Sequence, residues 1–157
     1  MKRNTPYFIL ILILLVCDQL TKFLVAKTIK PYASANVISG FLSLSHFRNK
    51  GAIFGMFSQM GGALVTNLLT VASLIALCMV IYYFVKTPSS HKTMKVALSL
   101  ILAGAVGNLI DRVVRGSVID FIEVHIRGFT WPTFNVADSC ITVGASLLVL
   151  MLFIRRP

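Results

Sequence analysis

Two aspartates in an otherwise apolar chain have the residue type and setting for hydrolytic chemistry. Asp120 lies near the end of the polar stretch GNLIDRVVRGSVIDF at residues 107–121, and Asp138 follows in the segment FNVADS. Two carboxylates a few ångström apart cannot both ionise easily, so one keeps a proton while the other acts as a base on a water between them. Alone, Asp138 would be explained as a helix cap and Asp120 as an interfacial acid. As a pair they predict an aspartate dyad.

Further polar residues are spaced so that they share helix faces. Asp18 and Lys22 stand four residues apart in the favourable acid-first order, which predicts either a structural ion pair or a brace for the site. A second face carries a glycine, an amide, an acid and a base at intervals of i, i+4, i+7 and i+8, namely Gly104, Asn108, Asp111 and Arg112. The glycine lets another backbone or a substrate come close, and the arginine can pair with a carboxylate. This face predicts one wall of a polar cavity.

The composition places these residues in a membrane protein. Of the 157 residues, 57% are hydrophobic and only 13% are charged, and the mean hydropathy is +0.85. A soluble domain of this size would expose too much apolar surface to stay dispersed. The net charge of +10 would suggest nucleic acid in a soluble protein, but here the basic residues flank apolar runs, which is typical of topology signals and of contact with anionic membrane lipids. We expect one membrane domain over residues 1–157 and no nucleic-acid partner.

Four segments are apolar enough to cross a bilayer, which takes roughly 20 residues. They cover about 6–25, 63–85, 94–114 and 138–154. The first resembles a signal peptide with a lipobox ending at Cys17, but Val16 is too large for the position before that cysteine, so we expect a retained helix. The N-terminus, the 86–95 connection and the C-terminus are basic and carry no acid, which places them on the cytoplasmic side.

The two longer connections lie on the outer side in this topology. Leu42 and Leu44 alternate with Ser43 and Ser45, which predicts a short strand or a small sheet. Residues 115–137, with Trp131, predict an amphipathic interfacial segment. The expected class is an all-α integral membrane protein with four transmembrane helices, a small outer sheet and this interfacial segment.

Four ordered blocks resemble the lipoprotein signal peptidases, the type II signal peptidases of bacteria. They are DQLTK at 18–22, RNKGAIFG at 48–55, GAVGNLIDRVVRGSVIDFI at 104–122 and FNVADS at 134–139. The resemblance covers nearly the whole chain. The sequence departs from the family pattern at Ile53, where a second small residue is expected after Ala52, and this change touches no proposed catalytic group.

The resemblance implies an aspartyl endopeptidase of the bacterial cytoplasmic membrane that needs neither metal nor cofactor. Its substrates would be prolipoproteins whose lipobox cysteine carries diacylglycerol, cut immediately before that cysteine. The outer strands would form an extracytoplasmic cradle over the site, globomycin-type cyclic peptides would inhibit, and a monomer is expected. The catalytic dyad would be Asp120 and Asp138. The residues that bind substrate or support the dyad would be Asp18, Lys22, Asn49, Gly51, Gly104, Asn108, Arg112, Asn135 and Ala137.

Three other functions fit parts of the pattern. A transporter or channel would use the charged residues of the first and third spans as an ion or proton relay, although the second and fourth spans lack ionisable residues in their cytoplasmic halves. A lipid phosphotransferase would use Asp111, Asp120 and Asp138 to bind Mg²⁺. A purely structural membrane protein would tolerate conservative changes at both aspartates of the dyad.

Overall fold

The apolar segments form four long helices, and the two longer connections, after the first and after the third helix, contribute the strands of one sheet. The computed structural model describes residues 4–50 and 62–154, without the side chains of residues 62–66. The helices are α1 (Thr5–Thr28), α2 (Gly62–Lys86), α3 (Lys92–Arg115) and α4 (Val136–Ile154). The strands are β1 (Ser34–Ile38), β2 (Leu42–Asn49), β3 (Val118–Ile126) and β4 (Phe129–Thr130).

All four helices are long and apolar enough to cross a membrane. A helix satisfies its own backbone hydrogen bonds, which is why a segment surrounded by lipid takes this form. The predicted spans at 6–25, 63–85, 94–114 and 138–154 each lie within one helix, and these four helices fit a membrane protein.

Helix α3 is the centre of the bundle and contacts α1, α2 and α4. Its contact with α4 is close because two glycines lie at the interface. A methyl group added at Gly104 would meet the carbonyl oxygen of Ala137 at 2.3 Å, and one at Gly144 would meet that of Ala97 at 2.7 Å. The first turn of α4 therefore lies directly against the middle of α3, where the polar face of α3 begins.

The sheet is antiparallel with the strand order β1-β2-β3-β4. The predicted strand around Leu42 and Leu44 is confirmed as β2. The alternation in burial stops after Ser45, because the register shifts between Leu44 and Phe47 and His46 is buried next to Ser45. Beyond the shift, Phe47 pairs with Asp120 and Asn49 with Val118. The end of β2 is thus aligned with the start of β3.

The four apolar helices and the small sheet of the expected class are both present, but the label all-α is not confirmed, because the connections after α1 and α3 both contribute strands to the sheet. The predicted interfacial segment at 115–137 contains β3 and β4, and residues Val118, Ile119 and Phe121 are buried rather than spread on a surface. Ile119 and Phe121 pack with Val25 near the end of α1. A strand buried on both faces shows no period-two alternation, so the sequence pattern did not reveal it.

The connection after β4 folds back onto β3. The backbone N–H of Ile122 donates to the carbonyl of Phe134 at 2.8 Å, and the N–H of Phe134 donates to the carbonyl of Ile122 at 3.1 Å. This pairing places Asn135 and the start of α4 beside Asp120.

Candidate active site

The Asp120 carboxylate is buried at the start of β3 and is held by two amides. Nδ2 of Asn135 donates to its Oδ1 at 2.7 Å, and Nδ2 of Asn49 donates to its Oδ2 at 3.0 Å. Burial raises the pKa of the Asp120 carboxyl to about 6, and the charge of Asp138 acts in the same direction, whereas the two amides and the Lys22 ammonium oppose the rise. A carboxyl with a pKa near neutrality is suited to proton transfer.

Asp138 lies in the first turn of α4 and forms a reciprocal cap with Asn135. The backbone N–H of Asp138 donates to Oδ1 of Asn135 at 2.9 Å, and the N–H of Asn135 donates to Oδ2 of Asp138 at 3.3 Å. Nδ2 of Asn108 donates to the remaining oxygen of Asp138 at 2.7 Å. Asp138 therefore caps its helix and also faces the polar side of α3.

Asn135 is bonded to both carboxylates of the predicted dyad. Its side-chain amide reaches Asp120 and its backbone N–H reaches Asp138. The same amide group lies 3.3 Å from Oδ1 of Asn108, so the side-chain amides of Asn135 and Asn108 are connected between the two carboxylates. The structure thus brings Asp120 and Asp138 together through the fold-back of the connection between them.

The Lys22 ammonium lies next to the Asn108 amide and is fully buried. It contacts Oδ2 of Asp18 and Oδ2 of Asp111, both at 2.9 Å, and it donates to Oδ1 of Asn108 at 3.0 Å. An amide oxygen that accepts from Lys22 must turn its Nδ2 the other way, toward Asp138. Lys22 therefore fixes the orientation of the amide that holds the Asp138 carboxylate.

Asp18 connects α1 to the start of α4. Its Oδ1 accepts from the backbone N–H of Ala137 at 2.9 Å, so Ala137 contributes a main-chain group rather than its side chain. The carboxylate fits there because Gly107 has no side chain, and a methyl group at that position would meet Oδ2 of Asp18 at 2.5 Å. The negative charge also lies at a helix N-terminus, where it is favourable.

A cleft of about 280 Å³ opens beside the dyad between α2, α3 and α4. Asp138, Asn108 and Arg112 form part of its lining, and Ile101 and Ile141 contribute apolar walls. Nη1 of Arg112 lies 3.2 Å from Oγ of Ser73 on α2, so a cation spans the width of the cleft. The cleft combines carboxylate and amide groups on one side with apolar surface on the other.

A family model described as signal peptidase (SPase) II matches residues 10–154 of this chain. The chain belongs to the signal peptidase II family. The lipoprotein signal peptidase of Staphylococcus aureus strain MRSA252 is 42% identical over 137 residues, which is 87% of this chain and 81% of that protein. That of strain Newman shows the same identity and coverage.

Two solved structures, each described as a bacterial membrane enzyme structure by the in meso method, share the fold. The structure at 1.9 Å resolution has a TM-score of 0.85 and 36% identity, covering 97% of this chain and 95% of the other. The structure at 2.3 Å has a TM-score of 0.83 and 36% identity, covering 95% and 88%. The resemblance seen in the sequence is therefore confirmed, and the chain is a transmembrane hydrolase that acts as a signal peptidase II.

Most of the site residues expected for a signal peptidase II lie together. Asp18, Lys22, Asn49, Asn108 and Asn135 are all bonded within the network around the dyad. Gly104 and Ala137 meet at the α3–α4 contact, and Arg112 lines the cleft. Gly51 lies outside the described residues.

Four further residues of this signal peptidase belong to the network and were not among the expected supporting set. Asp111 is fully buried and accepts from Arg115 and from the backbone N–H of Ile119. Gln19 donates to carboxylates of α1 and α3 and accepts from Arg115 at 3.1 Å. Ser73 contacts Arg112 across the cleft. Arg115 stands four residues after Asp111, a spacing from which the ion pair could have been inferred.

Proposed function

We propose that this chain is an aspartyl endopeptidase of the bacterial cytoplasmic membrane that cuts diacylglyceryl-modified prolipoproteins immediately before the lipidated cysteine. The observation that supports this most directly is the single residue Asn135, which is bonded to both Asp120 and Asp138. The arrangement holds a buried and a half-buried carboxylate in one polar site without a serine, cysteine or histidine among their hydrogen-bond partners in the described residues. Membership of the family supports the substrate class.

In the proposed reaction, Asp138 is ionised and Asp120 carries the shared proton. Asp138 lies at the N-terminus of α4, where negative charge is favourable, and the pKa of Asp120 is raised to about 6. Asp138 takes a proton from a water as that water attacks the scissile carbonyl, and Asp120 donates its proton to the carbonyl oxygen. In the collapse of the tetrahedral intermediate, Asp138 passes its proton to the leaving nitrogen and Asp120 regains one from the hydroxyl.

The products are a signal peptide with a new carboxylate and a lipidated cysteine with a free amine. The apolar side of the cleft would accommodate the substrate next to the acyl chains, and Arg112 would hold a carbonyl of the substrate or order the dyad. The termini would lie in the cytoplasm, because basic residues without acids flank the helices there. Globomycin-type cyclic peptides would inhibit by occupying the same cleft, and the monomer would be the active unit.

The test is cleavage of a diacylglyceryl-modified lipobox peptide by the purified full chain in detergent with EDTA present. Wild type is compared with Asp120→Asn and Asp138→Asn, which keep the shape of each side chain but remove its charge. Each variant should lose activity by several orders of magnitude, because the two carboxylates act as one unit. Mass spectrometry of the products locates the cut.

Glu123→Gln is the matched control, because Glu123 lies on the same strand as Asp120 and bonds Ser45 rather than the dyad. It should retain wild-type activity. Undiminished cleavage by either dyad variant would refute the mechanism, and loss of activity on chelation would favour the phosphotransferase type of metal site. Substrate-driven uptake into vesicles, abolished by Asp18→Asn but not by Asp138→Asn, would instead favour a transporter.

A further inference from the structure

The acidic side chains of the chain are all either buried, or half-buried and hydrogen-bonded to other side chains. The sequence has 5 Asp+Glu, and all of them fall within the described residues. Asp18, Asp111 and Asp120 are buried, and Asp138 and Glu123 are half-buried and hydrogen-bonded to other side chains. No carboxylate side chain is therefore exposed at the end of the molecule that carries the sheet.

Basic side chains, in contrast, are exposed at this same end. They lie at the end of α1, before β1, around the end of β2 and in the turn between β3 and β4: Lys27, Lys30, Arg48, Lys50 and Arg127. In a membrane protein whose other end is also basic, positive loops are expected on the cytoplasmic side. A second cationic surface on the opposite side needs another explanation.

The sheet has two ends with different composition. At one end, Asn49 pairs with Val118 next to the dyad. At the other end the β1–β2 turn and the β3–β4 turn lie side by side, since the N–H of His125 donates to the carbonyl of Phe41 at 2.8 Å. We name this second end, residues 37–41 and 126–131, the hairpin end.

The hairpin end exposes large apolar side chains around a single cation. Those that are about half exposed or more are Val37, Ile38, Phe41, Ile126, Phe129 and Trp131. Arg127 and Gly128 form the β3–β4 turn, both with positive φ, so Arg127 projects from the tip of the hairpin. Phe129 and Trp131 stack edge to face beside that tip.

We propose that the hairpin end is a docking surface for anionic phospholipids, with its aromatic side chains in the outer membrane interface and Arg127 on a lipid phosphate. Exposed Trp and Phe prefer the headgroup region of a bilayer. An arginine beside them can place its apolar stem along the acyl boundary and its planar guanidinium on a phosphate oxygen pair. The absence of any exposed acid on the described surface makes an anionic headgroup the complementary occupant, rather than a basic segment of a protein.

The consequence is that the sheet which supplies Asn49 and Asp120 would be held at a fixed height on the membrane. The hairpin end and the dyad lie at opposite ends of the same strands β2 and β3. Lipid contact at one end would therefore set the position of the other relative to the bilayer. This inference concerns lipid binding and does not depend on the dyad mechanism.

The chain has one tryptophan, and it lies in the hairpin end, so fluorescence excited at a wavelength that only tryptophan absorbs reports on this surface alone. The purified full chain is reconstituted in vesicles of phosphatidylcholine and phosphatidylglycerol in equal amounts. In one set the phosphatidylglycerol carries brominated acyl chains, and in the other set the phosphatidylcholine carries them. Bromine quenches a nearby indole, so we expect quenching in both sets. Quenching should be stronger when the anionic lipid carries the bromine, because the arginine can enrich that lipid near Trp131 by up to roughly fivefold.

Arg127→Asn removes the cation and leaves Asn-Gly, which suits a turn with positive φ. This variant should still be quenched but equally in the two sets, whereas Lys92→Gln, an exposed change at the start of α3, should keep the wild-type difference. Added salt should reduce the difference in the wild type.

Three results would overturn the proposal. Absence of quenching in both sets would show that the Trp131 ring stays in water, which would leave the surface to a protein partner. Equal quenching of the wild type would show that the lipid contact does not select anionic headgroups. An Arg127→Asn variant that retained the wild-type difference would remove Arg127 from the site. Peptidase activity enters none of these readouts, so a failure here is distinguishable from a failure of the proposed mechanism.

Discussion

Asn135 offers a substitution that separates the support of the dyad from the stability of α4. Its Oδ1 caps the helix by accepting from the N–H of Asp138, while its Nδ2 holds Asp120 at 2.7 Å. Asn135→Ser keeps a good capping oxygen but has no amide to reach the Asp120 carboxylate. Asn135→Ala removes both functions. The two variants therefore differ in the cap and agree in the loss of the hydrogen bond to Asp120.

The expected effect of Asn135→Ser is a rise in the pKa of Asp120. The hydrogen bond stabilises the ionised carboxylate and so lowers its pKa, and its removal must act upward from the value of about 6. A hydrogen bond to a charged group is worth about 1.5–3 kcal/mol. Because Asn49 still donates to the other oxygen, we take the lower limit, and about 1.4 kcal/mol corresponds to one pH unit.

The assay is the pH dependence of kcat/KM with the lipobox peptide, which reports the ionisations of the free enzyme. If Asp120 must be protonated to donate to the carbonyl oxygen, activity falls as the pH rises through its pKa. The falling limb should therefore move to higher pH by about one unit in both variants. Thermal unfolding in detergent should show a lower Tm for Asn135→Ala than for Asn135→Ser, since only Asn135→Ala also loses the cap, which contributes about 1 kcal/mol. A profile of Asn135→Ser that superimposes on the wild type would refute the reasoning.

Further substitutions test the parts of the site that surround the dyad. Ser73→Ala should raise KM several-fold with kcat unchanged, because Ser73 positions Arg112 in the cleft. Ser73→Thr should restore KM in the same kinetic assay. Ser99→Ala is the control and should have no effect, because the Ser99 hydroxyl bonds only within its own helix. Gly107→Ala should lower both Tm and activity, since its methyl group would displace the Asp18 carboxylate, and an unchanged Tm would contradict the close contact. Lys22→Met should lower the free energy of unfolding by about 3–5 kcal/mol in chemical denaturation, because it leaves the buried Asp18 carboxylate without a cation and Asp111 with Arg115 alone. A stable Lys22→Met variant would show that those carboxylates become protonated instead.

The helices could be predicted from the sequence because their signal is local. Twenty or so apolar residues bounded by Lys or Arg specify a span whatever its neighbours are. The sheet could be predicted only in part, because β3 is buried on both faces at its start and pairs with residues far earlier in the chain, such as Val118 with Asn49, 69 positions before it. Such pairing leaves no trace in the periodicity of either strand.

The candidate site, like the fold, could be predicted from the sequence only in part. The dyad and most of its supports were predicted from motifs, and the fold-back of the connection to α4 was expected from the pair of aspartates. Helical spacing placed Asp111 on the polar face of α3, but it does not show which neighbouring helix that face meets. Asp111 in fact meets Lys22 of α1, whereas Arg112, the next residue, turns to Ser73 of α2. These choices depend on the rotation of α3 in the bundle, which is set by tertiary packing.

The charges beneath the dyad explain why Asp120 has a pKa near neutrality in a site that contains a lysine. Lys22 is shared by Asp18 and Asp111, and Arg115 also pairs with Asp111, so two cations meet two anions in this layer. The charge of the Lys22 ammonium is balanced by Asp18 and Asp111. Its lowering effect on the pKa of Asp120 is therefore smaller than the rise caused by burial. A lysine bonded to the dyad alone would keep both carboxylates ionised and leave no proton for the carbonyl oxygen. The paired layer instead orients Asn108 through Lys22 and, in the proposed mechanism, leaves the dyad free to hold one proton.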